Sequence, residues 1–280
     1  MPTLGRNLRP TSLGGKLVAI LTTVGLAGAL GITIILALVI TPNFNALEAK
    51  ANAGHIDRTR AALTDYANKI ESAVRDYGDW TQSYDYMAHP TAKFEQESFS
   101  PLAMSNLSVQ GMAYVRPDGR IQIARWYDPA TGGERPAMRA ALIDTITHTD
   151  LARVVGTNNS GRFYARLGPV VAAIGVAQVR RSDGTGTPRG YVLMAREFTS
   201  QQISDLLQLN ATIDRTARVD TDQLIKGDRT AAIQVPIKGA DGHAVAAARF
   251  TVPRDVSMVG RRMLLLAVAG STLLLLLVLM

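Results

Sequence analysis

Asp76-Tyr77-Gly78-Asp79-Trp80-Thr81-Gln82-Ser83-Tyr84-Asp85-Tyr86-Met87 is the stretch on which the reading of this chain turns. It holds one of the two tryptophans and three of the eight tyrosines, in a sequence that is only 6% aromatic. Aromatic surface concentrated in this way is either the anchor of a core or the wall of a binding site. Upstream of it, Leu63, Tyr66, Ile70, Ala73, Tyr77, Trp80, Tyr84 and Met87 advance by alternating steps of three and four. That is the seam of a packed helix face, and it predicts one helix from Phe44 to Met87. Toward the N-terminus the seam weakens to Ile56, Asn52 and Ala49. The distal half should therefore lie on a folded domain, while the proximal half can pair with a second copy of the chain. Gly78 costs about 1 kcal/mol of helix propensity and marks a kink or a close packing contact.

Further upstream the chain turns apolar. No charged residue occurs between Leu17 and Thr41, a run of about 25 positions. A helix needs roughly 20 to cross a bilayer core, and the apolar region of a cleaved signal peptide is only about 7 to 15 residues long. Residues 17–41 are therefore expected to be an uncleaved transmembrane helix. A second uncharged, leucine-rich block runs from Met263 to Met280. We expect it to be a second span, cut short in a longer protein; a natural hydrophobic tail is the alternative. Arg6, Arg9 and Lys16 precede the first span without an acid, which places residues 1–16 in the cytoplasm and residues 42–262 outside. Arg261 and Arg262, on what would be the outer side of the second span, resist this assignment.

With 280 residues, 47% of them hydrophobic, the chain can bury one sizeable core. It has no cysteine, so neither a disulfide framework nor a thiolate metal site can form. A formal charge of +7 and a pI near 9.9 suggest nucleic acid at first sight. The short N-terminal tail supplies three of the positive charges and the rest are scattered, so a cationic surface near anionic lipid or ligand is the more modest inference, and no nucleic-acid partner is expected.

Beyond the long helix, His89-Pro90 is a break, and after Asn106 the period changes. Gly111 to Val115 and Arg120 to Tyr127 flank Pro117-Asp118-Gly119, a turn signal that predicts a first hairpin. Glu134 to Thr147 has helical spacing, with Met138, Leu142 and Ile146 on one side. Asn158 to Gly161 is expected to be a loop. The apolar run from Leu167 to Val179, the polar segment from Arg180 to Gly190, and Tyr191 to Arg196 predict a second hairpin. Ser200 to Leu209 reads as a helix capped by Thr199 or Ser200. Ala211 to Val219, Ala231 to Ile237 and Ala244 to Val252 are further strand-like runs. Hairpins after a long N-terminal helix make an α+β domain on a mainly antiparallel sheet, flanked by two transmembrane helices.

No motif for catalysis stands out. Gly184 to Gly190 lacks the Gly-Lys-Ser/Thr ending of a phosphate loop and is read as a hairpin connection. His55, His89, His148 and His243 are far apart with no carboxylate at ligand spacing, so neither a metal centre nor any other cofactor is expected. Asp76, Trp80 and Tyr84 are four apart, which on one continuous helix would bring an acid, an indole and a phenol to a single face. Their role is either core packing or ligand contact. Arg125 and Arg196 are the strand cations that either face inward, where a guanidinium needs an acid or an anionic ligand, or sit at the rim of the sheet.

These residues resemble a known family. The segment Asp76 to Met87, then Ser105-Asn106-Leu107, the Pro-Asp-Gly hairpin, and the Gly190 to Phe198 run ending in Met194-Ala195-Arg196-Glu197-Phe198 are similar to the type 4 CHASE domain over about Phe44 to Thr212. This is an extracellular sensory module set between two membrane helices in bacterial receptors. The resemblance carries over Trp80, Tyr84, Asn106 and Arg196; with Asp76 and Arg125 they form the candidate ligand-binding set. The family usually has acids directly after the tryptophan, where this chain has Thr81 and Gln82. What the resemblance implies is a PAS-like or Cache-like sensor fold in the periplasm, a small-molecule ligand of unknown identity, and a two-pass receptor of the bacterial inner membrane, expected as a homodimer. A diguanylate cyclase, cyclic-di-GMP phosphodiesterase or histidine kinase output would lie beyond residue 280, so these residues are not expected to be an enzyme themselves. The rival readings are a periplasmic interaction or dimerisation module without a ligand, and a membrane-anchored hydrolase for which no nucleophile and base can be named.

Overall fold

A computed structural model describes residues 13–279. Arg6 and Arg9 of the expected cytoplasmic tail, and Met280, lie outside the described residues. Those described fall into two compact units. Among the described residues the first comprises 13–54, 227–231 and 253–279, and the second is His55–Lys226 with Ala232–Val252.

The first unit contains the apolar helix α1 (Leu13–Ile35), a π-helical turn (Leu36–Ile40) and the start of α2 (Thr41–Gly78). The π turn has a local cause. Pro42 has no N–H to offer and its ring crowds the carbonyl one turn back, so the ladder widens and the Thr41 N–H bonds Leu36 instead. Leu13–Gly78 is helical throughout and contains the one helix among the described residues that is long and apolar enough to cross a membrane.

The second unit holds most of α2, then α3 (Thr81–Ala88), α4 (Ala92–Ser98) and α5 (Pro101–Asn106). Strands β1 (Gly111–Val115) and β2 (Ile121–Trp126) follow, then α6 (Pro136–Thr147), α7 (Leu151–Val155), β3 (Ser160–Leu167), β4 (Val170–Gln178), β5 (Tyr191–Phe198) and α8 (Ser200–Leu207). The five strands form one antiparallel sheet in the order β2-β1-β5-β4-β3. A four-stranded sheet comes next: β6 (Ala211–Asp214), β7 (Gln223–Lys226), β8 (Thr230–Lys238) and β9 (Ala244–Pro253), in the order β6-β9-β8-β7. The first unit closes the chain with α9 (Asp255–Leu279).

Alternation along the five strands sends successive residues to opposite faces. One face, with Ala113, Ala124, Trp126, Ile174, Val176, Leu193 and Ala195, buries Met138, Leu142 and Ile146 of α6 and Leu151 and Val155 of α7. The other face receives α2. Leu63, Tyr66, Ile70 and Val74 are buried along that helix, and the Tyr164 hydroxyl on β3 donates to the Leu63 carbonyl at 2.8 Å. Each large apolar side chain so enclosed is worth about 1.5–3 kcal/mol relative to exposure, which makes this double layer the source of the fold's stability.

Several expectations are corrected here. The predicted helix from Phe44 to Met87 is not continuous: α2 ends at Gly78, and Trp80, in an extended conformation (φ −96°, ψ 122°), starts α3. Asp76, Trp80 and Tyr84 therefore do not share one helical face. Gly78 is the close contact as well as the break, because a Cβ there would lie 2.6 Å from the Gln178 carbonyl oxygen and 2.8 Å from the Ala177 Cβ. The buried seam shifts from Ala73 to Val74, which is fully enclosed. The expected loop at Asn158–Gly161 already contains the start of β3, and in the apolar run 167–179 a turn at Gly168 separates Leu167, the last residue of β3, from the whole of β4. Only Ala211–Asp214 of the run to Val219 is a strand, and the last strands build a second sheet instead of extending the first.

Candidate functional site

The broken helix end creates the most elaborate side-chain cluster of the second unit. On α3, Tyr84 and Tyr86 point inward. Tyr86 stacks on Phe94 of α4, with centroids 4.4 Å apart at 20°, and both meet the edge or face of Tyr114 on β1 at 5.6 and 5.9 Å. Phe99 closes the far side at 5.7 Å. The Tyr114 hydroxyl, fully enclosed, hydrogen-bonds Ser83 at 2.7 Å, and Tyr86 donates to Glu95 at 2.9 Å. Burial raises the pKa of both phenols well above the ordinary tyrosine value. This nest is filled by its own rings, so it is a core first.

Trp80 is its open edge. The indole is 38% exposed and rests against Tyr77 (5.4 Å) and Phe94 (6.3 Å).

The β4–β5 loop folds over the same place. Arg180 donates to Asp79 at 2.5 and 3.1 Å, and its backbone N–H bonds the Gly78 carbonyl at 2.7 Å, one of the carbonyls that a helix end leaves without an internal partner. Thr81 and Ser182 bond each other three ways, side chain to side chain at 2.9 Å and backbone to side chain in both directions. Tyr84 lies under two guanidinium groups, Arg189 at 3.8 Å and Arg181 at 5.1 Å from its ring centre. Arg189 also donates to the Tyr84 carbonyl at 3.0 Å and lies 3.9 Å from Asp85. Asp183, hydrogen-bonded by the Thr185 hydroxyl and backbone, holds its carboxyl below the usual range. Chemically, the arrangement offers an exposed indole face beside a cation-rich loop, a pairing suited to a small molecule with an anionic group.

The six candidate residues are not gathered around one cavity. Tyr84 is the buried member of the cluster and Trp80 its exposed edge. Asp76 is exposed on the last turns of α2, and Asn106 is exposed at the end of α5. Arg196 on β5 donates to the Ser108 and Leu107 carbonyls at 2.5 and 2.9 Å, so it caps the C-terminus of α5, where a cation is favourable. Arg125 on β2 lies 3.5 Å from Glu134. None of the six lines the clefts of about 580, 640, 260 and 290 Å³ on the described surface. The residues that sequence reasoning missed are Asp79, Arg180, Arg181, Ser182 and Arg189. The signal available for them was the density of arginine in a glycine-rich hairpin, a composition that a turn alone does not require.

The CHASE4 domain profile matches residues 62–213. The chain belongs to the CHASE4 domain family. The CHASE4 region thus spans the distal part of α2, the aromatic nest, the five-stranded sheet and α8, close to the extent the resemblance implied. The methanogenesis regulatory histidine kinase FilI of Methanothrix harundinacea is 27% identical over 82 residues, which are 29% of this chain and 9% of that kinase. The chain therefore spans only a small part of that relative's length. Among solved structures, a domain of a sensory box/GGDEF family protein from Vibrio parahaemolyticus has a TM-score of 0.47 at 10% identity, covering 77% of this chain and 99% of its own. The sensor domain of the V. cholerae histidine kinase DctB has a TM-score of 0.43 at 9% identity, with coverages of 75% and 98%.

Proposed function

We propose that residues 42–262 form the extracytoplasmic ligand-sensing region of a bacterial transmembrane signalling receptor, held in the inner membrane by residues 17–41 and 263–280. The observation that carries this reading is α2. It follows the apolar helix through the π turn and runs for 38 residues to Gly78, two residues before Trp80. Membership of the CHASE4 family and a sheet order of β2-β1-β5-β4-β3 support a PAS-like or Cache-like sensor. A ligand shifts an equilibrium only if it binds two states unequally, so a molecule seated at Trp80 must favour one packing of the 79–81 break against the β4–β5 loop. Output through a diguanylate cyclase, a cyclic-di-GMP phosphodiesterase or a histidine kinase, with a homodimer paired along the proximal half of α2, completes the proposal.

The test uses the intact chain in detergent and a library of small anionic metabolites. Trp126 is fully buried, so acrylamide quenching reads Trp80. We expect at least one metabolite to raise the Tm and protect the quenchable tryptophan, and Trp80→Ala to abolish that shift in a folded protein. If none stabilises the chain and Trp80→Ala alters stability alone, the ligand-sensing reading fails. The closed packing of the nest favours a second reading, an interaction or dimerisation module without a small-molecule ligand, and that outcome would support it.

A further inference from the structure

The two arginines that resist the topology assignment belong to a built cleft. Within the first unit a cleft of about 640 Å³ is walled by Arg229, Arg254, Ser257, Arg261 and Arg262, with Asp228 as the one carboxylate of its lining. Arg254 is already committed: its Nε donates to the buried Glu48 at 2.7 Å, Ser257 bonds the same carboxylate, and Arg254 also reaches the Gly227 carbonyl. Arg229, Arg261 and Arg262 are exposed and make no ion pair among the described residues. Three guanidinium groups against one carboxylate in a concave site repel one another unless an anion joins them, and a guanidinium fork matches the geometry of a phosphate.

The sequence of the lining indicates which phosphate. Arg254, just before α9, and Met258, Arg261, Arg262 and Leu265 on it all line the cleft, at the three-and-four spacing of one stripe. The stripe passes from cation to methionine to cation to leucine, and residues 263–280 carry no charge. A free phosphate needs only the arginines. A phospholipid uses the apolar positions as well, its phosphate on the guanidinium groups and the start of its acyl chains along Met258 and Leu265. We propose that this cleft binds the phosphate-bearing headgroup of an anionic glycerophospholipid at the outer surface of the membrane, which gives Arg261 and Arg262 a function on the side where topology rules disfavour them. The proposal rests on the reading of α9 as entering the membrane after residue 262.

The test titrates the intact chain in uncharged detergent with dioctanoyl phosphatidylglycerol, dioctanoyl phosphatidylcholine and inorganic phosphate, reading binding by thermophoresis. We expect phosphatidylglycerol to bind and phosphatidylcholine not to, with affinity falling as sodium chloride rises from 0.05 to 0.5 M. The triple variant Arg229→Gln/Arg261→Gln/Arg262→Gln, with Arg254 intact, should lose affinity on the order of a hundred-fold. Inorganic phosphate binding as tightly as phosphatidylglycerol would overturn the lipid assignment in favour of a soluble anion. Unchanged phosphatidylglycerol binding in the triple variant, or no binding of either phosphate, would overturn the site. Should the variant not fold, the salt series on the unaltered chain decides: affinity independent of salt overturns the proposal. The metabolite screen at Trp80 does not involve these arginines, so either result can fail while the other stands.

Discussion

Buried tyrosine hydroxyls make several of the second unit's polar contacts, and their chemistry sets a measurable limit on stability. Tyr66 donates to the Glu197 carbonyl at 2.8 Å, and burial, partly offset by Arg196, pushes its pKa from the ordinary 10 up to about 12. Burial raises Tyr164 in the same direction. A phenol whose folded pKa is raised stabilises the fold fully below pH 10 and loses that contribution as pH climbs through the folded value. A rise from 10 to about 12 corresponds to roughly 3 kcal/mol for Tyr66 at full titration. Chemical denaturation should therefore give a constant stability from pH 8 to 10 and a decline between pH 10 and 12, less steep in Tyr66→Phe; a flat profile to pH 12 contradicts the burial of this phenol. At this scale the sequence was informative about which rings matter and uninformative about what polar groups meet. Arg196 was expected to face an acid or a ligand and instead ties two backbone carbonyls, because a helix end five residues before β1 in sequence presents unpaired oxygens beside it. Asp79, not Asp76, is the acid that pairs with Arg180.

Among the elements, those whose burial follows one period were readable in advance. The β1–β2 and β4–β5 hairpins fall where apolar runs flank a turn signal, α6 with Met138, Leu142 and Ile146 inward where helical spacing places it, and α8 with its Thr199/Gln202 capping box where capping chemistry does. β3 was not readable, because Arg162 and Arg166 interrupt its apolar positions and the turn at Gly168 sits inside a longer hydrophobic run. β7 is largely exposed and carries no alternation. The contacts around Thr81 and Ser182 link residues about a hundred positions apart, which no local period encodes.

Two outcomes follow from the close approach of α2 to the sheet. Gly78→Ala gains at most about 1 kcal/mol of helix propensity but inserts a methyl at 2.6 Å from the Gln178 oxygen, so we expect a net loss on the order of 1–2 kcal/mol in urea denaturation. No loss would mean that the helix end does not sit on β4. The Asp79–Arg180 pair is partly exposed and contributes little to global stability. It fixes the loop locally, so Asp79→Ala with Thr81→Ala should leave the Tm within a few degrees while trypsin cuts several-fold faster after Arg181 and Arg189; an unchanged cleavage rate would show that the loop is held elsewhere.

For the molecule as a whole, the α+β character and the N-terminal apolar helix were legible from composition and period, whereas the division into two sheets was not. The last strands carry the same alternation whichever sheet they join, and pairing partners are set by tertiary contact. The central claim, that the CHASE4 region faces the periplasm, rests on the arginine and lysine bias before residue 17 and on family membership. With no cysteine in its 280 residues, the chain allows a direct test. Thr187→Cys places a single thiol on the exposed tip of the β4–β5 loop. A membrane-impermeant maleimide applied to cells with an intact inner membrane should label it fully; labelling only after the inner membrane is lysed would place the domain in the cytoplasm and contradict the account.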